Sequence, residues 1–281
     1  MQKISSGTSS AIREIFSSDK ALLGMIHCPS FPGSPRYKDA SIEAIYDACM
    51  RDADALVGGG FDGLVIENHG DIPFSKPEDI GHETAAFMSV VTDRIKAATG
   101  VPLGINVLAN APIPALAIAL AAGASFIRVN QWANAYVANE GFLEGRAGEA
   151  LRYRSLLRAE HIKVFADSHV KHGAHAITAD RTIPEQTRDL AFFDADVVIA
   201  TGQRTGNAAT IEEIEEIRSA TDLPLMVGSG VTRENIGEVL SCTNGVIVAS
   251  SLKVGGAWWN PVDPARVKAF MEAARPALGR D

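Results

Sequence analysis

Six consecutive residues, Asp167-Ser168-His169-Val170-Lys171-His172, carry a carboxylate, two imidazoles and an amine. On an extended strand, Asp167 and His169 leave the same face. A carboxylate beside an imidazole raises the imidazole pKa and sets its tautomer, so the pair can serve as general base and general acid. Lys171 can neutralise an anion or stabilise an enolate; as a Schiff-base nucleophile it would need a depressed pKa. His172 offers a further proton donor. The competing reading has Asp167 capping a loop and both histidines at its surface.

Other chemistry-bearing residues follow short apolar runs elsewhere. Glu67 is a second carboxylate, suited to proton transfer or to sugar hydroxyls; an internal ion pair with Arg128 is its structural alternative. Asn106 and Asn130 suit orienting hydrogen bonds. His27, Arg128 and Thr201 complete a candidate substrate-binding set. Glu67, Asp167 and His169 are also of types that hold a divalent ion, although they lack close ligand spacing. Cys28 has no evident base beside it, so it reads as packing rather than as a nucleophile.

Val227-Gly228-Ser229-Gly230-Val231-Thr232 and Val246-Ile247-Val248-Ala249-Ser250-Ser251 are apolar runs ending in small residues. Such ends can turn backbone N–H groups towards an anion. Gly228, Ser229, Gly230, Ala249, Ser250 and Ser251 are therefore the expected phosphate-binding set, with Thr232 capping the helix that follows. Thr201-Gly202-Gln203-Arg204-Thr205-Gly206 is a glycine-rich loop with a cation that could close over a ligand. His27 to Lys38, with three prolines, predicts a stiff first loop. Trp258 and Trp259 read as core or subunit-interface anchors rather than a substrate platform.

These residues need elements to gather them. Strand-like runs recur at 22–26, 63–67, 102–107, 126–129, 163–167, 196–200, 224–228 and 245–249. Between them lie helical periodicities, such as Ile42, Ile45, Cys49, Ala53 and Leu56, or Ile211, Ile214 and Ile217 set against glutamates. Thr182/Glu185 and Thr210/Glu213 have capping-box spacing. Gly60, Gly100 and Gly123 follow helices, where a left-handed residue closes the last turn. Eight strands alternating with helices predict parallel pairing and an α/β TIM (β/α)₈ barrel in a single domain. A doubly wound sheet is disfavoured because no G-x-G-x-x-G follows the first strand. Residues 1–20 form an N-terminal extension or short capping helix, with Ile12, Ile15 and Phe16 over the barrel floor; residues 21–281 form the barrel. In such a barrel the polar strand ends share one mouth, which places the phosphate set opposite the acid/base set.

A formal charge of −8 and the absence of any Lys/Arg-rich run argue against a polymeric nucleic-acid partner. Cys28, Cys49 and Cys242 share no metal-site spacing and suit a reducing compartment. The N-terminus lacks the apolar core of a secretory signal, and the longest apolar stretch falls short of a transmembrane span. The expected setting is cytoplasmic. The expected partner is a phosphorylated small molecule, with a homo-oligomer and a divalent metal left open and no organic cofactor called for.

The combined motifs resemble the BtpA/SgcQ family. The resemblance rests on Met25-Ile26-His27 with Pro32-Gly33-Ser34-Pro35, Gly63-Leu64-Val65-Ile66-Glu67-Asn68, Gly104-Ile105-Asn106-Val107-Leu108, Phe126-Ile127-Arg128-Val129-Asn130, Ala166 to His172, and Gly228 to Thr232. It runs from about residue 20 to the C-terminus. Cys28, Phe31 and Ser168 depart from the aliphatic residues expected at their positions. The resemblance implies a TIM-like barrel. One branch of the family is associated with photosystem I biogenesis and another with a nucleosidase. The expected activity is N-glycosidic hydrolysis or isomerisation of a phosphorylated sugar or nucleoside-like compound. The alternatives are a non-catalytic assembly factor and a metal-dependent lyase or epimerase.

Overall fold

The computed structural model describes residues 10–38, 41–202 and 209–279. Helix α1 (Ala11–Phe16) comes first, capped by the Ser10 hydroxyl. It is followed by β1 (Ala21–His27), α2 (Ile42–Gly58), β2 (Gly63–Glu67), α3 (His82–Thr99), β3 (Leu103–Asn106), α4 (Pro112–Ala121) and β4 (Phe126–Val129). A hairpin, β5 (Ala135–Ala138) with β6 (Gly141–Glu144), interrupts the alternation. Then come α5 (Ala147–Leu156), β7 (Lys163–Ser168), α6 (Ile183–Phe192), β8 (Val197–Ala200), α7 (Ile211–Ala220), β9 (Leu225–Gly228), α8 (Ile236–Cys242), β10 (Gly245–Val248) and α9 (Pro264–Leu278).

Eight parallel strands close in the order β1-β10-β9-β8-β7-β4-β3-β2. The chain is a TIM barrel, as the alternation of runs predicts. Its strands lie between a filled interior and an outer ring of helices, so they are almost continuously apolar rather than alternating.

The interior is filled by Leu23, Met25, Val65, Phe126, Phe165, Ile199, Met226 and Ile247. Phe126 and Phe165 stack with centroids 4.1 Å apart. Gly104 makes room for them, since a Cβ there would stand 2.1 Å from the Phe126 ring. Helix α1 plugs the floor by packing Ile12 into this cluster, and Phe16 meets Phe126 edge-on. The second apolar layer lies between strands and helices and takes up Ile45, Cys49 and Leu56 of α2 and Ile214 and Ile217 of α7.

Local signals act where they stand. Gly60, Gly100 and Gly123 all have positive φ (102°, 69° and 68°) after their helices. Thr182 and Glu185 form a reciprocal capping box. Thr210 accepts from the Glu213 N–H. A recurrent clamp joins strands in pairs. The residue before β2, β8 or β10 (Asp62, Asp196 or Asn244) accepts an N–H near the start of the preceding strand, from Leu22, Val164 or Leu225. Each clamp satisfies a donor at the barrel floor that would otherwise be orphaned.

Thr232 does not cap α8. The helix begins at Ile236 with Asn235 at its N-cap; the Thr232 N–H instead donates to Asn235 Oδ1, and the Thr232 hydroxyl accepts from the Glu234 N–H in the preceding turn. The intervening turn delays the helix by three residues. No helix among the described residues is long and apolar enough to cross a membrane.

Candidate functional site

His27, Glu67 and Asn106 are register partners on β1, β2 and β3. Parallel neighbours in register point the same way, so their side chains share one face. Arg128 on β4 and Asp167 on β7 join them as the polar layer directly above the apolar filling. A cavity of about 570 Å³ opens above this layer.

Asp167 is fully engaged within the layer. Arg128 donates to it twice, from Nε to Oδ1 and from Nη2 to Oδ2, both at 3.0 Å, and Asn130 Nδ2 donates at 3.0 Å. The Asp167 side chain has no solvent exposure. Asn106 extends the network by donating to the Arg128 carbonyl and to Asn130 Oδ1. Burial opposes the Arg128 charge, but Asp167 outweighs it and holds the guanidinium pKa above its ordinary value.

This arrangement replaces two expected pairings. Glu67 does not pair with Arg128, because Arg128 turns Nε and Nη2 to Asp167. Asp167 does not pair with His169, because β7 ends at Ser168 and His169 takes φ 51°, which breaks the strand alternation. His169 stacks on His175 instead, with centroids 4.0 Å apart. Burial, with the His175 charge adding to it, lowers the His169 pKa to about 4. Ser168 faces away and bonds Thr187 of α6.

The carboxylate–histidine contact lies at the end of β2. Glu67 Oε1 stands 2.7 Å from His69 Nδ1 and 3.6 Å from His27 Nε2. The two imidazole rings stack at 4.4 Å. His27 Nδ1 lies 3.2 Å from the Trp258 carbonyl. Burial lowers the His27 pKa to about 3, against the pull of Glu67, so His27 is neutral at physiological pH. Burial alone would raise the Glu67 pKa. The hydrogen bond from His69 and the neighbouring positive charges, Arg128 among them, overcome it and hold the carboxyl down at about 2. The metal set expected from Glu67, Asp167 and His169 is therefore not assembled; among the described residues His27, Glu67 and His69 converge instead.

Lys171 lines the cavity between His169 and His172, both with positive φ (51° and 65°). Such backbone in non-glycine residues is sparsely populated and is held by its surroundings. Here Thr201, fully buried, accepts the Lys171 N–H on its hydroxyl at 3.0 Å. Burial and then the Arg128 charge lower the Lys171 pKa to about 8, although Glu67 and Asp167 pull the other way. His172 also lines the cavity, from an exposed position.

Gly228, Ser229, Gly230, Ala249, Ser250 and Ser251 line the same cavity. Ser229 and Gly230 have φ of 149° and 65°. A 3₁₀ turn, Ser250–Leu252, follows β10. Ser251 Oγ donates to the Val231 carbonyl at 2.7 Å and ties the two loops together. Among the described residues, the N–H groups of Gly230, Ser250 and Ser251 meet no backbone acceptor.

Of the expected site residues, Glu67, Lys171, His172, His27, Arg128, Asn130 and the six small residues line one cavity. Asp167, His169, Asn106 and Thr201 stand behind or beside it. Gln203 to Gly206 of the glycine-rich loop lie outside the described residues. His69, Tyr136 and Trp258 line the cavity without a site role expected from sequence. His69 stands two residues beyond Glu67, a spacing that hints at their contact. Tyr136 comes from the β5–β6 hairpin, whose four-residue strands leave little periodic signal. Trp258, expected as an anchor, packs edge-on against His69 at 4.4 Å and forms a cavity wall, while Trp259 is 70% exposed.

A closed parallel ring with its polar layer under a single mouth places the protein in the TIM-barrel class. Solved structures agree on the fold. Tryptophan synthase of Mycobacterium tuberculosis matches with a TM-score of 0.60 at 15% identity, covering 96% of this chain and 99% of that one. Thiamine phosphate pyrophosphorylase of Pyrococcus furiosus matches with a TM-score of 0.55 at 14% identity, covering 93% and 98%.

The chain belongs to the BtpA family, whose model matches residues 18–276. An uncharacterized protein of Archaeoglobus fulgidus is 40% identical over 257 residues, covering 92% of this chain and 99% of the relative. The photosystem I biogenesis protein BtpA of Synechocystis is 36% identical over 266 residues, covering 94% and 91%.

Proposed function

We propose that this protein is an enzyme acting on a phosphorylated small molecule of the sugar-phosphate or nucleoside-phosphate kind. One observation carries the reading. A single cavity is lined by the tied loops after β9 and β10, with their backbone donors, and by Lys171 after β7 and Glu67 on β2. The phosphoryl group sits on Gly230, Ser250 and Ser251, where N–H groups without a backbone acceptor favour an anion. The rest of the substrate extends beneath the hairpin, between Tyr136, Phe74 and Trp258, towards the polar layer.

Lys171 is the proton carrier, since an amine with a pKa near 8 can both give and take a proton close to neutrality. Glu67 supplies negative charge to an oxocarbenium-like centre in N-glycosidic cleavage, or to a migrating proton in isomerisation. Asp167 acts as a positioning residue, fixing Arg128 and Asn130 rather than touching substrate.

The test is thermal protection by ribose 5-phosphate, by inorganic phosphate and by ribose. The reading expects protection by both phosphates, none by ribose, and loss of it in Ser229→Asp, whose added carboxylate occupies the cradle. Equal protection of Ser229→Asp and wild type, or none of the wild type, would overturn the phosphate assignment. Turnover of nucleoside and pentose phosphates, followed by NMR, then separates hydrolysis from isomerisation.

A second reading, an assembly factor without turnover, is favoured by the exposed Trp259 and by the name of the Synechocystis relative. It expects no phosphate protection and stabilisation only by a protein partner.

A further inference from the structure

We propose that His27, Glu67 and His69 hold one divalent first-row transition-metal ion at the mouth of the barrel. The inference stands on the geometry of these three residues and does not depend on the phosphate cradle after β9 and β10.

One nitrogen from each imidazole and one Glu67 oxygen lie mutually within 4.8 Å. Glu67 Oε1 is 2.7 Å from His69 Nδ1 and 3.6 Å from His27 Nε2. Ligand atoms around an ion at about 2.1 Å, at tetrahedral or octahedral angles, stand roughly 3.0–3.4 Å apart. The two separations bracket that range and the third, between the imidazole nitrogens, is within 4.8 Å, so side-chain rotation at the two histidines admits the ion.

The fold prepares the ligands. His27 and Glu67 are register partners at the ends of β1 and β2, so the backbone ladder itself sets them side by side. The Trp258 carbonyl, 3.2 Å from His27 Nδ1, can only accept a hydrogen bond. It therefore places the ring proton on Nδ1 and leaves the Nε2 lone pair facing Glu67. A ligand histidine whose second nitrogen is held by a carbonyl is the usual support of a metal site. Two imidazoles and one carboxylate suit zinc, iron(II), manganese or cobalt and do not suit magnesium, which prefers oxygen alone. All three residues line the cavity, so coordination positions remain for water or for a substrate oxygen.

A hydrogen-bonded His–Glu–His cluster without metal is the competing account, and titration decides between them. Chelator-stripped full-length protein is titrated separately with Zn²⁺, Mn²⁺ and Co²⁺ in the absence of any phosphate compound. Bound metal is read by elemental analysis, and Co²⁺ also by its visible bands. The expected result is one ion per chain, with at least a tenfold loss of affinity in His27→Ala, Glu67→Gln and His69→Ala. Wild-type protein that takes up less than a tenth of an equivalent of all three ions overturns the proposal, as does undiminished binding in folded variants. Should a variant fail to fold, the wild-type Co²⁺ spectrum decides, since bands of imidazole coordination must appear. Protein that is protected by phosphate but binds no metal removes this inference and leaves the proposed function standing.

Discussion

Arg128 and Asp167, 39 residues apart in sequence, meet in a two-pronged ion pair buried beneath the cavity, with both contacts at 3.0 Å. The pair sits at the boundary between apolar filling and polar mouth. Glu67 is therefore left as the carboxylate of this layer that faces the cavity.

Removing one partner strands the other charge. Asp167→Asn should cost about 3–5 kcal/mol in urea unfolding. The double variant Arg128→Met/Asp167→Leu should recover most of that loss, because two apolar side chains leave no uncompensated charge. A double variant no more stable than the single one would contradict this account of the pair.

Lys171 should titrate near pH 8 rather than in the ordinary lysine range. Folding disfavours its charged form, so the residue costs stability below pH 8, and the cost fades as pH rises towards 10.5. Lys171→Met should accordingly gain stability over wild type at pH 7 and lose that gain above pH 10.5. Amine-selective labelling of the Lys171 peptide, followed by mass spectrometry against pH, should show its midpoint near 8.

Ser251 binds the loop after β10 to the loop after β9 through the Val231 carbonyl. Ser251→Ala should cost about 1 kcal/mol of stability. It should also weaken protection by inorganic phosphate several-fold, as the two halves of the cradle lose their tie. Unchanged protection would show that the loops keep their spacing without it.

Gly104→Ala should destabilise the barrel by about 1–3 kcal/mol, because its Cβ would meet the Phe126 ring. Adding Phe126→Leu should relieve part of the penalty. Thermal melts of the two variants and their combination measure the coupling.

The barrel was legible because each of its eight strands is a largely apolar run of at least four residues, bounded by helical periodicity and glycine stops. The residues at the ends of those runs were legible as well, since a strand end is a fixed place in this architecture. Their partnerships were not. Asp167 and His169 share a face only while the chain stays extended, and the turn at His169 lies beyond what alternation predicts. Arg128 could have served either Glu67 or Asp167, and the choice depends on how far the strands are staggered round the ring. His69 lies outside β2, where no periodicity assigns a direction. The hairpin that brings Tyr136 is too short for its pattern to stand out.

Val137 of the hairpin and Ala174 of the loop after β7 exchange both backbone hydrogen bonds, at 3.1 and 2.7 Å. The roof of the chamber and the arm bearing the amine are thus stitched into one plate. In the proposed function, the wall that Tyr136 lends to the substrate and the amine of Lys171 are therefore held at a fixed spacing by backbone rather than by side chains.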